Sequence, residues 1–402
     1  MQLRFNVRLY PTAGQRGALA QAFGCTRVVF NDTLDARREA WADGERRLSD
    51  AEVSKRLTES KTAPQRAWLN NVSSVVLQQA AADANTAHAT GCPAFVAGGR
   101  AARSGRPGSG RSGTTGKRSG SPRTPGSRSR PQASCGCRRS GTCRFAGRDL
   151  PSDPSSVTVI LDAAGRYFAS FVVDTGEPAL LPPVDAEVGI DLGLASLAVC
   201  SNGKVIDNPR YLRKAQRRLK RAQQALSRKE KGSKNRANAR VRVARAHVRV
   251  ADTRRDFAHK LSTTIIRENQ AVYVEDLAVS GLARTRLAKS VYDAGWGMFT
   301  RMLQEKAARY GRTFAKVDRW FPSSQLCSAC GVIDGPKPLS VRSCTCPECG
   351  TVHDRDLNAA RNILLEGRKT AAGRAASACG GSGSPGLGQA APDEAGTHRS
   401  AA

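Results

Sequence analysis

The order of apolar and polar residues predicts a strand followed by helices at the N-terminal end of the chain. Residues 1–10 alternate apolar and polar side chains, as a half-buried strand does, because its successive side chains point to opposite faces. After Pro11 and Thr12 the apolar residues recur at helical spacing over residues 15–29 and again over 72–89. Proline and threonine favour a helix start, so we expect the first helix to begin there.

Strand patterns return after residue 150. Two runs rich in β-branched and aromatic residues, 156–161 and 167–173, are separated by a turn sequence and predict a hairpin. Shorter apolar runs predict further strands at residues 187–194, 196–200, 271–277 and 314–317. Helical spacing predicts helices at residues 296–310 and after Asp356, and a helical hairpin over 210–255 that Gly232 and Ser233 interrupt. Strands that alternate with helices in this way predict an α/β protein.

Residues 96–148 differ in composition from the rest of the chain. They contain 12 Gly and 13 Lys or Arg, and no acidic residue. Such a segment buries too little apolar surface to offset the entropy of ordering it, so we expect it to be disordered. One interpretation is a basic flexible linker that contacts phosphate groups. We expect disorder as well in the small, polar tail from about residue 371.

The net charge of the chain favours a nucleic-acid partner. Its 402 residues include 64 Lys and Arg against 34 Asp and Glu, a formal net charge of +30. This excludes ordinary metabolic enzymes of small neutral substrates and favours a polyanion, of which nucleic acid is the commonest in cells. No run approaches the roughly 18 uncharged apolar residues of a membrane span, and the first residues lack the apolar core of a signal peptide. We therefore expect an intracellular protein with no membrane association.

The predicted helical hairpin is the most basic part of the patterned sequence. Residues 210–255 contain 18 Lys or Arg and two acids. A hairpin that is merely soluble does not need this charge, so we predict phosphate contacts along it. The predicted contact residues are Arg213, Lys214, Arg217, Arg218, Lys220 and Arg221.

Four of the 12 cysteines have the spacing of a zinc site. Cys327 and Cys330 form one Cys-x-x-Cys pair, and Cys346 and Cys349 form a second pair 15 residues later. Thiols stay reduced inside cells, and two such turns supply the four thiolates of a closed tetrahedral site, so the predicted zinc is structural. Cys344 is a spare cysteine that fits the turn less well than Cys346.

Three acidic residues form a second candidate metal site. Asp191 and Glu275 each lie among apolar residues of a predicted strand, and Asp356 lies at a predicted helix start. A carboxylate buried in this way needs a partner or a cation. Hard oxygen ligands select Mg²⁺ or Mn²⁺, and carboxylates that hold two such ions about 4 Å apart are typical of phosphodiester hydrolysis. For Asp191 alone, a solvated or capping carboxylate is the other interpretation.

These motifs together resemble a known family. The run Gly189-Ile-Asp-Leu-Gly193, the run Val274-Glu-Asp-Leu277, residues 321–327 with the cysteine pairs after them, and residues 354–360 are similar to the TnpB (OrfB) family of bacterial insertion sequences. The N-terminal Tyr10-Pro-Thr, Phe23-Gly, Arg27 and Asn31 also resemble that family. The likeness covers most of residues 1–95 and 150–366, and the family is similar to compact type V CRISPR effectors.

The resemblance implies an RNA-guided DNA endonuclease that depends on Mg²⁺ or Mn²⁺. Asp191 matches the first catalytic acid of the family and Glu275 the second, and the motif favours Asp356 over Asp354 as the third. The implied partners are a guide RNA and a target DNA, and the implied location is the bacterial cytoplasm, at the nucleoid when acting. The implied fold is an α/β multidomain protein with a RuvC-like, ribonuclease-H-type nuclease domain and an inserted zinc ribbon, preceded by a wedge-type β-barrel with a helical insert.

These expectations divide the chain as follows. We predict a wedge strand and helical recognition region at 1–95, the basic disordered segment at 96–148, returning wedge strands at 149–183, a nuclease core at 184–320 with the basic hairpin at 210–268, a zinc ribbon at 321–353, the last nuclease motif and helix at 354–370, and a disordered tail at 371–402.

Three alternatives stay open at this level. The chain could be a nucleic-acid-binding regulator of transposition without cleavage, or a recombinase that acts directly on transposon ends. The acid triad favours cleavage, and the absence of a recognisable Tyr or Ser nucleophile motif weighs against a covalent recombinase. The third concerns residues 96–148, which depart from the family: a compensated pair of frameshifts would explain them and would make this copy weak in RNA binding or inactive.

Overall fold

The computed structural model describes residues 2–44, 48–91, 113–117, 134–137, 141–146, 150–177, 179–338 and 340–379. The chain folds as two compact units. The first unit comprises Met1–Pro178 with Ala215–Asp252, and the second comprises Ala179–Lys214 with Thr253–Ala402. Among the described residues, no helix is both long and apolar enough to cross a membrane.

The first unit contains a six-stranded antiparallel sheet. Its strands are β1 (Gln2–Leu9), β2 (Gly113–Lys117), β3 (Ser134–Cys137), β4 (Gly141–Ala146), β5 (Pro154–Leu161) and β6 (Tyr167–Asp174). Their order is β2-β5-β6-β1-β4-β3. The predicted hairpin is confirmed as β5 and β6, joined by a turn in which Gly165 has φ +79°. The predicted wedge-type barrel stays a prediction.

Three of these strands lie inside the segment that was expected to be disordered. β2 pairs with β5, β4 pairs with β1, and β3 pairs with β4. Disorder was expected because few side chains of this segment can be buried. Pairing at a sheet edge instead uses backbone N–H and C=O groups, and every residue here except proline supplies both. The rest of residues 96–148 lies outside the described part of the chain.

Helices complete the first unit. They are α1 (Ala13–Ala42), α2 (Asp50–Thr62), a 3₁₀ helix (Pro64–Asn71) and α3 (Ser74–Gly91). The start predicted at Pro11 and Thr12 is confirmed, because the Thr12 side chain accepts from the Gln15 N–H and the Gln15 side chain accepts from the Thr12 N–H. Buried Arg37 donates to Asn85, to the Leu48 carbonyl and to Asp50, which links α1 to α3 and to the start of α2.

The basic helical hairpin is confirmed as two helices. They are α4 (Tyr211–Ser227) and α5 (Lys234–Glu268), and the Gly232 between them has φ +92°. A backbone in this region suits glycine, which has no Cβ to clash with the following carbonyl. The break that the sequence predicted at Gly232 is therefore a geometric requirement of the turn.

The second unit contains a five-stranded mixed sheet. Its strands are β7 (Glu187–Leu192), β8 (Ser196–Cys200), β9 (Val205–Asp207), β10 (Ala271–Glu275) and β11 (Thr313–Val317), in the order β11-β10-β7-β8-β9. β7, β10 and β11 are parallel to one another, whereas β8 is antiparallel to both β7 and β9. A separate two-stranded hairpin pairs β12 (Ser343–Thr345) with β13 (Val352–Asp354).

Four further helices belong to the second unit. They are α6 (Val279–Leu282), α7 (Ala288–Ala294), α8 (Trp296–Tyr310) and α9 (Arg355–Cys379). α9 extends past residue 371, where the sequence analysis expected disorder to begin, because an alanine-rich run continues it and alanine has the highest helix propensity. The remainder of the predicted tail, residues 380–402, lies outside the described residues.

Two glycines allow α9 to lie directly on the sheet. A Cβ on Gly189 would come within 2.2 Å of the Ala360 carbonyl oxygen and 2.5 Å of the Leu364 nitrogen. A Cβ on Gly367 would come within 2.3 Å of the Tyr273 ring. The helix therefore lies in close contact with the backbone of β7 and with the Tyr273 side chain of β10, and this crossing carries the start of α9 to the region of the candidate site.

Candidate active site and metal centre

Asp191 and Glu275 lie side by side on adjacent parallel strands. β7 pairs with β10 so that Ile190 is opposite Val274, and the Leu192 N–H lies 3.4 Å from the Glu275 Oε1 that it donates to. Both acids follow apolar residues that fix the strands in the core. The two predicted acids are thus brought together at the carboxyl ends of neighbouring strands.

The pleat of the sheet directs both acids toward the same face. Val188, Ile190 and Leu192 belong to the large core cluster that also contains residues of α5 and α8. Their neighbours in the alternation, Gly189 and Asp191, therefore face the opposite side, where α9 crosses. On β10, Ala271 and Tyr273 pack on the α9 side with Ile363, so Glu275 shares that face.

The third acid comes from the first turn of α9. Asp354 Oδ1 accepts the Leu357 N–H at 2.9 Å and so caps the helix. Asp356 lies in the first turn, and its charge raises the pKa of Asp191. The two acids of this motif therefore have different roles, because Asp354 caps the helix and Asp356 acts on Asp191 through its charge.

The environment opposes ionisation of both strand acids. Burial, followed by the charges of Glu275 and Asp356, raises the pKa of Asp191 to about 8. Burial raises the pKa of Glu275 to about 7, against the hydrogen bond from the Leu192 N–H, which lowers it. Carboxyl groups that are buried and close to like charges are poorly stable as bare anions. A divalent cation would supply the missing positive charge, so the donor set fits Mg²⁺ or Mn²⁺.

An arginine competes for the third acid. Arg342 Nη1 lies 3.0 Å from Asp356 Oδ2 and 3.2 Å from Asp356 Oδ1. Within the described part of the chain, oxygens of the three carboxylates do not all come within 4.8 Å of one another. Glu275 and Asp356 are therefore close enough to act on Asp191 through their charges, but the oxygens of the three acids do not form a closed set of metal ligands. Nothing in the sequence pattern identified Arg342.

The four predicted cysteines form a compact cluster. Their sulfur atoms all lie within 4.8 Å of one another, with Cys327 and Cys349 at 3.7 Å and Cys330 and Cys346 at 3.6 Å. A glycine of positive φ follows each pair directly, Gly331 at +79° and Gly350 at +69°. The N–H of each glycine donates to the carbonyl of the first cysteine of its pair, which closes the turn.

The thiols of this cluster fit a structural zinc ion. Cys349 Sγ lies 3.2 Å from the Thr351 hydroxyl oxygen, and hydrogen bonds with the side chain and backbone of Thr351 lower the pKa of that thiol to about 6. His353, which is buried, places Nε2 3.1 Å from Cys327 Sγ. A hydrogen-bonding group beside a thiolate is typical of the surroundings of a metal ligand. Spare Cys344 lies on β12, outside the cluster.

Two asparagines of α9 hold the start of the cysteine segment. Buried Asn358 accepts the Ser328 N–H at 2.9 Å and donates to the Leu326 carbonyl at 2.7 Å. Buried Asn362 donates to the Ser323 and Leu326 carbonyls at 2.9 and 2.6 Å. These contacts join the helix that carries Asp356 to the loop that carries Cys327. Their spacing of four residues on one helical face was the available sequence signal, and it was missed.

The predicted phosphate-contact residues are all exposed. They are Arg213, Lys214, Arg217, Arg218, Lys220 and Arg221, on α4. At the start of this helix the buried carboxylate of Asp293 accepts the Leu212 and Arg213 N–H groups at 2.8 and 3.0 Å. The structure thus leaves these cationic side chains accessible to solvent, and their contact with nucleic acid stays a prediction.

Comparison with known proteins identifies the family. A family model described as a probable transposase matches residues 170–286, a Cas12f1-like TNB domain matches 296–363, and a helix-turn-helix domain matches 1–46. A Streptomyces pristinaespiralis protein named as an RNA-guided DNA endonuclease is 44% identical over 94% of this chain and 90% of its own. The chain belongs to the TnpB (OrfB) family.

One further curated protein and one solved structure also match most of this chain. The RNA-guided DNA endonuclease InsQ of Escherichia coli is 28% identical over 94% of this chain and 93% of its own. A solved Cas12f1–sgRNA–target DNA complex matches with 13% identity and a TM-score of 0.34, covering 90% of this chain and 99% of that one. Residues 1–46, where the helix-turn-helix match lies, form β1, the single long helix α1 and the turn after it in their described part.

Proposed function

We propose that this TnpB-family chain is an RNA-guided DNA endonuclease that hydrolyses phosphodiester bonds with the help of divalent metal ions. The observation that supports it most strongly is the pair Asp191 and Glu275. They lie on adjacent parallel strands, and burial raises their pKa values to about 8 and about 7. Two poorly solvated carboxyls at one sheet edge suit a cation site, whereas a regulator that only binds nucleic acid has no need of them.

Each acid has a distinct role in this proposal. Asp191 and Glu275 would hold the cation from the strand ends, and the Leu192 N–H orients Glu275 through its Oε1. Asp356 would complete the ligand set from α9 and would then exchange Arg342 for the metal. Mg²⁺ or Mn²⁺ held by these acids would supply an activated water and would stabilise the leaving 3′ oxygen.

We assign the second unit to the RuvC-like, ribonuclease-H-type class. The assignment is supported by the strand order β9-β8-β7-β10-β11, in which the first three strands are antiparallel and the last two run parallel to β7. The cysteine cluster would bind one structural Zn²⁺ that fixes the segment before α9.

The proposed partners are a guide RNA and a target DNA. Base pairing by the guide would supply sequence recognition, and the protein would contact backbone phosphates and a short flanking motif. The exposed Lys and Arg of α4 suit contacts with backbone phosphates, because such contacts need accessible cationic side chains. We expect this activity in the bacterial cytoplasm, at the nucleoid.

A cleavage assay with matched variants tests the proposal. The protein would be purified with its bound RNA, that RNA sequenced, and the matching DNA target supplied with Mg²⁺. We expect cleavage by the wild type and by Asp207→Asn, an exposed acid at the end of β9, and none by Asp191→Asn. Retained cleavage by Asp191→Asn would contradict the site, and DNA binding without cleavage by the wild type would favour the regulator.

A further inference from the structure

Two neighbouring aromatic residues after β11 have opposite environments. Phe321 packs against the cluster that contains Tyr273, Val317 and Ile363. Trp320 is 83% exposed, the highest value among the exposed large apolar side chains of the described residues. Burying an indole is strongly favourable, and Trp320 stays in solvent beside a partly buried phenylalanine, so its ring is left uncovered by the part of the chain that the structure describes.

The backbone that carries Trp320 is held in place. Its N–H donates to Asp318 Oδ1 at 2.8 Å, and the Phe321 N–H donates to the Asp318 carbonyl at 3.1 Å. Arg319 Nη2 lies 2.6 Å from Asp276 Oδ2, and the Asp276 N–H donates to the Val317 carbonyl at 3.0 Å. The exposed ring therefore stands on a turn with defined hydrogen bonds.

This turn is anchored beside the candidate active site. Asp276 follows Glu275 directly, and Glu275 is opposite Val317 in the parallel pair of β10 and β11. Trp320 is three residues beyond Val317, at the same edge of the sheet as the strand acids. Lys316 Nζ also contacts Asp276, at 3.3 Å, so the two cations Lys316 and Arg319 share one carboxylate next to this turn.

We propose that Trp320 is a stacking platform for an unpaired base of the DNA strand that enters the acid site. An exposed indole stacks on any base, and its rigid support means that little conformational entropy is lost on binding. The cations Lys316 and Arg319 suit the phosphates of the same strand. The proposal rests on the nuclease function proposed above, because that function brings a DNA strand to this edge of the sheet.

The test is a binding measurement without added Mg²⁺, so that it does not depend on cleavage. The full-length chain, washed free of RNA at high salt, would be titrated with fluorescent oligothymidylate, with an RNA oligonucleotide of the same length and with duplex DNA. We expect Trp320→Ala to weaken oligothymidylate binding about tenfold, within the range of base–aromatic stacking. Trp320→Phe should stay within about twofold of the wild type, because it keeps an aromatic face.

Two controls separate stacking from charge and from unfolding. Trp68→Ala removes a partly exposed tryptophan of the first unit and should leave the affinity unchanged. The slope of log affinity against log salt should be the same in Trp320→Ala as in the wild type, since no phosphate contact is removed. Equal melting temperatures of the Ala and Phe variants would show that both fold.

Several results would overturn the stacking proposal. They are unchanged binding by Trp320→Ala, equal losses for Trp320→Ala and Trp320→Phe, a loss confined to RNA, or an equal loss for duplex DNA. Asp191→Asn should bind as the wild type does while failing to cleave, so the nuclease proposal and the stacking proposal can fail separately.

Discussion

The cysteine cluster and the acid site are both candidate metal centres of the second unit, and they are built in opposite ways. The cysteine cluster comes from two local turns, each closed by its own hydrogen bond and a glycine of positive φ, and its four sulfur atoms already lie within 4.8 Å of one another. The acid site takes its groups from β7, β10 and α9, which lie far apart in the sequence.

This difference has an energetic consequence. Each local turn brings two ligands together by itself, so the cysteine cluster depends less on distant elements than the acid site does. Ligands on three distant elements are brought together by packing, and here the packing leaves two protonation-prone carboxyls and a third acid paired with Arg342. We therefore expect bound zinc to support the fold at the cysteine cluster, whereas the acid site is held in a poorly stable state that a cation would relieve.

We expect the largest effect from a substitution that disrupts the cysteine cluster. Cys346→Ser removes one of four thiolates, so we expect the zinc content to fall from about one per chain to near zero and DNA cleavage to be lost with it. Cys344→Ser is the matched control, since Cys344 lies outside the cluster, and it should keep both. Metal analysis of the purified variants checks this, and zinc retained by Cys346→Ser would contradict the four-cysteine assignment.

We expect the next largest effect from a substitution that disrupts the acid site and leaves the zinc content unchanged. A side chain at Gly189 would meet backbone atoms of α9, which cannot move aside as a flexible side chain can. We expect Gly189→Ala to lower the free energy of unfolding by about 3 kcal/mol and to abolish cleavage, because α9 carries Asp356. Urea unfolding and metal analysis measure both sites at once.

Gly297 provides the matched control for that substitution. It lies in α8, and a Cβ there would meet no atom within 4 Å. Gly297→Ala should raise stability by about 0.5–1 kcal/mol, as alanine does in a helix. If Gly189→Ala were as well tolerated as Gly297→Ala, the close approach of α9 to β7 would be wrong.

A pH dependence should distinguish the two sites further. In Mg²⁺-free solution, Asp191 and Glu275 bind protons in the folded state up to pH values of about 8 and about 7, whereas in the unfolded chain they release them near their ordinary values of 3.8 and 4.5. The folded state therefore holds more protons over that range, and stability should fall as pH rises from 5 to 8, by up to about 1.4 kcal/mol per pH unit for each carboxyl.

Thermal unfolding across that pH range measures the dependence. Asp191→Asn should flatten the fall, and added Mg²⁺ should reverse part of it in the wild type, because the cation takes the place of the protons. Stability that rises with pH in the Mg²⁺-free wild type would contradict the raised pKa values.

The smallest expected effect concerns the arginine at the third acid. Arg342→Gln removes the ion pair with Asp356, which is partly exposed and so contributes little to stability. We expect a change in melting temperature of about 2 °C or less. The Mg²⁺ concentration for half-maximal cleavage should fall by about twofold to fivefold, because the metal no longer competes with the guanidinium. An unchanged Mg²⁺ requirement would show that the pair does not oppose metal binding.

The sequence identified the parts of this protein that depend on local chemistry. The cysteine pairs, the strand acids Asp191 and Glu275, the capped start of α1 and the break at Gly232 all follow from neighbouring residues, and the structure places each where the pattern predicted. Arg342, Asn358 and Asn362 were missed because their partners are set by how α9 lies on the sheet and the cysteine segment. The four-residue spacing of Asn358 and Asn362 indicates a shared helical face, but no local pattern identifies the partners of that face.

The strands within residues 96–148 were missed for a different reason. Composition predicts whether a segment can form its own core, and this one cannot. It does not predict whether the segment adds to the edge of a sheet that already exists, as β2 does on β5 and β4 does on β1. These strands therefore form because β5 and β1 provide sheet edges with which they can pair.

Locating the bound cation would test the acid site most directly. Crystals of the protein grown with Mn²⁺ would be measured for anomalous scattering, which separates Mn²⁺ from the zinc of the cysteine cluster. We expect a manganese peak contacted by Asp191, Glu275 and Asp356, with Arg342 displaced, and no such peak in Asp191→Asn. Manganese absent from these three carboxylates in the wild type at saturating concentration would contradict it.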